Sequence, residues 1–159
     1  MNSKRMKMPV VVLAIVIMFV VAAVSGVMAA DSFYYKLHIV SASEGYNTAA
    51  HDKYAGQCVT LIQVTNIDRD SILYQKKSVN MIVINGQNGV QMTRNAVLSS
   101  PDQIPSIPSS AILNYIYNGN YYGWMQKPVL LRANSTTTNP GFTVEGYWYP
   151  NYGTSYSGQ

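Results

Sequence analysis

The sequence predicts an all-β protein: an antiparallel two-sheet sandwich preceded by an N-terminal hydrophobic helix. Three observations carry that expectation. Seven or eight short stretches of period-two alternation follow one another within about 120 residues, each closed by a turn signal. No stretch after residue 30 keeps a helical period over ten residues. Residues 8–30 carry no charge and follow a basic cluster of Lys4, Arg5 and Lys7.

The N-terminal segment reads as an export signal or a membrane anchor. A basic start, an apolar run and the small residues Ala29 and Ala30 match a secretory signal cut after either alanine. The uncharged run of 23 residues also exceeds the roughly 20 that span a bilayer as a helix, so the segment can stay in the membrane, through residues 10–27, if uncleaved. Both alternatives keep the cationic end inside and put the remaining chain outside. The expected organisation is a signal peptide or anchor over 1–30, a β-sandwich domain over 31–150 and a flexible polar tail over 151–159.

Residues 33–40 alternate Phe33, Tyr35, Leu37 and Ile39 against Tyr34, Lys36, His38 and Val40, which predicts a strand. Residues 44–57 hold Gly45, Asn47, Asp52 and Gly56 with little apolar content, which predicts a loop. Residues 58–65 predict a second strand, residues 66–71 a polar turn, and residues 72–74 a brief apolar resumption before a strand over 79–84. Asn85-Gly86 and Asn88-Gly89 then signal a hairpin, because both residue types tolerate the positive φ of primed turns, so residues 90–92 are expected to return antiparallel. Pro101, Pro105 and Pro108 lack ladder donors and predict a connection over 99–110. Residues 112–117 and 121–124 flank Asn118-Gly119-Asn120 as a hairpin. Residues 129–133 predict a strand and 134–141 a turn. The last strand, 142–149, sets Phe142, Val144 and Trp148 against Thr143, Glu145, Tyr147 and Tyr149.

The run Ala55-Gly56-Gln57-Cys58-Val59-Thr60-Leu61-Ile62-Gln63-Val64-Thr65-Asn66, followed by Ile82-Val83-Ile84-Asn85-Gly86, resembles the immunoglobulin-like domains of secreted proteins and lipoproteins. The resemblance covers about a third of the chain and implies a fold, not an activity. The lipid-bearing cysteine of a lipoprotein is absent, since Cys58 lies far from the leader.

Without residues 1–30, 129 residues remain, enough for one ordinary domain. Three of the eleven Lys and Arg leave with the leader, so eight stand against seven acids, a net charge of +1. That balance argues against nucleic acid, whose binding needs clustered positive charge. The single Cys58 forms no disulfide within the chain and reads as a small buried hydrophobe, unless it pairs between chains.

The chemistry-bearing residues are few. His38 lies in a strand and His51 in a loop, neither beside a nucleophile motif. Asn66, Asp68 and Asp70 sit at alternate positions, a spacing that serves calcium, but neither the glycine nor the closing glutamate of a calcium loop is present. No catalytic residue and no cofactor is therefore assigned. The C-terminal half is dense in aromatic residues, and Tyr121, Tyr122, Trp124, Tyr147 and Tyr149 are the expected binding surface, suited to a protein partner, self-assembly or a glycan. Asn134-Ser135-Thr136 is a glycosylation sequon in the expected turn. The function this implies is a non-enzymatic exported surface protein in adhesion, envelope structure or partner binding. One version is a filament subunit donating residues 33–40 to a neighbour. The alternative is an exported carbohydrate-binding module or hydrolase using the aromatic platform with Glu145.

Overall fold

The structure, a computed structural model, describes residues 31–69, 77–137 and 141–154. The leader, Asp70, the apolar segment 72–74 and residues 155–159 lie outside the described residues. The described chain is all-β with antiparallel pairing throughout, and it contains no helix.

The strands in order are β1 (Phe33–Ile39), β2 (Gly45–Asn47), β3 (His51–Lys53), β4 (Val59–Arg69), β5 (Val79–Asn85), β6 (Ala96–Leu98), β7 (Ser110–Asn114), β8 (Ile116–Tyr117), β9 (Asn120–Tyr121), β10 (Lys127–Ser135) and β11 (Phe142–Gly153). One sheet has the order β1-β11-β4-β7. The other has the order β2-β10-β5-β6, with β3 also paired to β10. β8 and β9 form a separate small hairpin. Asn118 (φ 49°) and Gly119 (φ 77°) both occupy the left-handed region there, the requirement of a primed two-residue turn.

Alternation explains the core. From the first sheet, Tyr35, Ile39, Ile62, Val64, Ile67, Phe142, Val144 and Trp148 are buried. They form one cluster with Val79, Met81, Val83, Val129, Leu131 and Ala133 of the second sheet. On β11, Phe142, Val144 and Trp148 are buried while Glu145 and Tyr149 are half-buried and Tyr147 is exposed, as the period-two pattern requires.

Several expectations are corrected. The region read as a loop over 44–57 contains β2 and β3. Each is three residues long and is laid against β10, with Asn47 opposite Arg132 and His51 opposite Val129. Thr48, between them, bonds Leu131 through both its amide and its hydroxyl, so β10 rather than local propensity organises this segment. Over residues 66–69 the expected polar turn is instead the continuation of β4, in which Ile67 points inward between exposed Asn66 and Asp68, while residues 70–71 lie outside the described residues. Residues 90–92 do return antiparallel after Asn85, as expected, but through a four-residue loop in which the Gly89 amide donates to the Asn85 carbonyl, and with a single bridge, Ile84 with Gln91. β10 runs on through Asn134 and Ser135, where a turn was expected, and β11 runs on to Gly153.

A bulge shapes the outer surface. Val64 pairs with Gly146 and Asn66 with Glu145, leaving Thr65 as the extra residue. A Cβ on Gly146 would collide with the Gln63 carbonyl, the same oxygen that accepts the Tyr35 hydroxyl at 2.8 Å. Only glycine permits this approach.

Candidate functional site

The outward face of the four-stranded sheet collects aromatic residues from separate parts of the chain. Tyr34 stands opposite Tyr147, which stands opposite Gln63 and then Ser110. One step along, Tyr149 aligns with Leu61 and Ile112. The Tyr34 and Tyr147 rings meet edge-on at 5.7 Å, and Tyr149 meets Tyr152 at 6.2 Å. Tyr34 is 56% exposed, Tyr147 and Tyr152 are each 42% exposed, and Ile112 is 36% exposed. Burying such rings against a partner yields area at little entropic cost.

The other half of this face is polar. Lys36 aligns with Glu145 and Asn66, and His38 with Thr143 and Asp68. Glu145 accepts from the Lys36 ammonium at 2.7 Å and from the Tyr34 hydroxyl at 2.8 Å. These two bonds hold its carboxyl below the usual range despite some opposing desolvation. The same contacts raise Lys36 and Tyr34. Glu145 is therefore kept ionised, a poor proton donor but a fixed acceptor at the border of the aromatic strip.

Of the residues expected at the binding surface, Tyr147 and Tyr149 lie in this strip. Tyr121, Tyr122 and Trp124 lie around the β8–β9 hairpin. There the Tyr121 hydroxyl is 2.8 Å from the Cys58 sulfur, Tyr122 packs against the core, and Trp124 projects outward. Cys58 is buried and free. Asn134 lies within β10, half-buried and paired on both sides, opposite Gly45 and Asn80. Asn66 and Asp68 share one face of a strand. Among the described residues no three His, Cys, Asp or Glu side chains converge on a metal position.

His38 Nδ1 lies 3.1 Å from the Thr143 hydroxyl. His51 stacks on Phe33 with centroids 3.5 Å apart and meets Trp148 edge-on at 5.6 Å. Burial lowers its pKa, with Asp52 acting the other way. Beside it, a cavity of about 220 Å³ opens between β1 and the β2–β3 segment. It is smaller than the roughly 300 Å³ at which sites for drug-sized ligands begin.

Sequence reasoning missed two residues. Tyr34 sits about 110 positions before its partner Tyr147, and only the β1–β11 pairing unites them. Lys53 lies in the stretch 44–57, read as a loop, where nothing in the pattern singles it out. Its side chain is fully buried, with the ammonium donating to the carbonyls of Gly123, Met125 and Tyr54. No family model, curated protein or solved structure matches this chain.

Proposed function

We propose that the chain is a non-enzymatic exported surface protein that meets its partner through the aromatic strip Tyr34, Tyr147, Tyr149, Tyr152 and Ile112. The observation that carries this reading is the convergence of exposed rings from β1 and β11 on one sheet face, bordered by the Lys36–Glu145 pair. Export rests on the basic and then uncharged sequence of residues 1–30, read as a signal or an N-terminal helical anchor. The fold is read more finely as an immunoglobulin-like sandwich, supported by two antiparallel sheets around a common core.

The strand-donating version of this function takes a specific form. β1 forms all seven of its pairs with β11 of its own chain, so donation would require its release. Strand addition at β1 and β7, the outer strands of this sheet among the described residues, requires no such release. The glycan reading uses the same tyrosines for stacking, with Glu145 as an acceptor rather than an acid.

The test is the double substitution Tyr147→Ser and Tyr149→Ser, followed by cell-surface association and partner capture. Loss of association with unchanged thermal stability is expected. Full retention of every association would sink the strip as the contact surface.

A further inference from the structure

The end of the domain at which β1 begins carries the most exposed large apolar side chain among the described residues. Trp124 is 75% exposed, with Met125 at 41% and Tyr54 at 42% beside it. A single exposed tryptophan on a loose loop would need no explanation. This one is braced from beneath. The Lys53 ammonium donates to the carbonyls on either side of it, Gly123 at 2.9 Å and Met125 at 3.1 Å, and to Tyr54 at 3.1 Å. The same ammonium stands 4.8 Å from the centre of the Tyr115 ring. The Gly56 amide donates to the Gly123 carbonyl at 3.0 Å, and the Met125 amide to Tyr122 at 3.2 Å. The Tyr121 ring meets the indole edge-on at 5.5 Å and fills the space that a Cβ on Gly123 would take. The backbone under Trp124 is thus fixed while its indole faces outward. Desolvating an ammonium among neutral carbonyls is a costly way to fix a loop.

The position of this loop identifies what it meets. Phe33 opens β1, pairs with Trp148 and stacks on His51, two residues before Lys53. Asn151 of β11 accepts from the Tyr54 amide and donates to the Asp52 carbonyl. β1 runs away from this end toward Ile39, which pairs with Phe142 at the other. The described chain therefore enters β1 at the end that displays Trp124, and residues 8–30, uncharged throughout, precede it in sequence. Tryptophan and tyrosine, each an apolar body with a polar tip, concentrate at membrane–water interfaces.

We propose that Trp124, Met125 and Tyr54 form a membrane-interface contact, seating this end of the domain on the lipid headgroups with the Trp124 indole among them. Lys53 is the positioning residue that holds the loop. The inference rests on the anchored form of the export reading, in which residues 8–30 occupy the bilayer.

The experiment uses the full chain reconstituted into vesicles of phosphatidylcholine and phosphatidylglycerol whose acyl chains carry bromine near the headgroup. Tryptophan emission is compared between the parent protein and Trp124→Ser. The expected result is that brominated lipid removes most of the emission that Trp124→Ser lacks, while the buried Trp148 component persists in both. Lys53→Met should keep the Trp148 emission and lose much of the lipid quenching, which a purely structural lysine would not do. Incorporation into vesicles with Trp124 untouched by bromine and quenched by aqueous iodide would overturn the contact and leave the anchor standing, with a protein partner as the reading for that end. A chain that does not associate with the vesicles would overturn both.

Discussion

Replacing Lys53 by Met removes the buried ammonium and keeps the side chain's length. Burial brings the Lys53 pKa down from the usual 10.5 to about 8, with nearby Cys58 acting the other way. A cation whose folded pKa is depressed holds its proton less readily in the fold. Between pH 8 and 10.5 the unfolded chain therefore keeps a proton that the folded chain has released, so stability rises with pH across that window and the full penalty applies below pH 8. The gap, at about 1.4 kcal/mol per pH unit, sets a ceiling of about 3 kcal/mol. Lys53 lies beside solvent-facing Tyr54 and Met125 at the end of the domain, so screening trims this to about 2 kcal/mol. Urea denaturation followed by tryptophan emission measures it as the stability of the parent protein minus that of Lys53→Met, from below pH 8 to about pH 10. The expected difference climbs by about 2 kcal/mol over that range. Burial raises the hydroxyls of Tyr35 and Tyr115 above the usual value of 10.0, so their contribution is complete below that pH and is lost only above the window measured. A difference that stays flat or falls with pH would refute the reasoning, because the carbonyls and the Tyr115 ring would then fully offset desolvation.

Gly146→Ala drives a methyl group into the Gln63 carbonyl at the bulge, where only backbone can yield, so a loss of about 3 kcal/mol or more is expected by the same denaturation assay. Thr60→Val keeps the volume but removes the hydroxyl that accepts the buried Trp148 indole N–H at 2.8 Å and donates to the Tyr149 carbonyl at 3.0 Å. Its expected cost is about 2 kcal/mol, accompanied by a shift in tryptophan emission. The buried Cys58 should react with a thiol reagent at least about a hundredfold more slowly in native buffer than in denaturant, since reaction requires opening; equal rates would mean the thiol is accessible in the fold.

What was legible in the sequence follows from what makes a strand. β1, β4, β5 and β11 bury one or both faces, and their apolar residues fall at regular positions, so period two exposes them. The Asn118-Gly119 turn is legible because its conformation depends on those two residues alone. β2, β3 and β6 are three residues each and owe their shape to a neighbouring strand, which no local pattern encodes. The end of β4 was hidden because Asn66 and Asp68 resemble turn residues, while in the sheet they are outward positions flanking Ile67. The candidate site divides the same way. Tyr147 and Tyr149 are placed by alternation along one strand, whereas the addition of Tyr34 and the separation of Tyr121 and Tyr122 depend on topology. Lys53 was hidden because its partners are main-chain carbonyls, which leave no mark in composition.

The aromatic strip and the Trp124 end are related through β4 and β11. The apolar part of the strip, Tyr149 with Ile112 and then Tyr152, lies toward Val59, Asn114 and the β8–β9 hairpin, while the Lys36–Glu145 pair lies toward Ile39 and Phe142. With the Trp124 end seated on a bilayer, the strip stands upright and faces sideways. A second anchored copy meets such a face by sliding in the membrane plane, where confinement raises its effective concentration; a soluble partner gains nothing from that confinement. Self-association through the strip should therefore appear as cross-linked dimers in vesicles and fade when the same protein is diluted in detergent, with Tyr147→Ser and Tyr149→Ser abolishing it. Cross-linking that survives those substitutions would move self-association to another face, and monomers in both settings would leave the strip to a partner from solution.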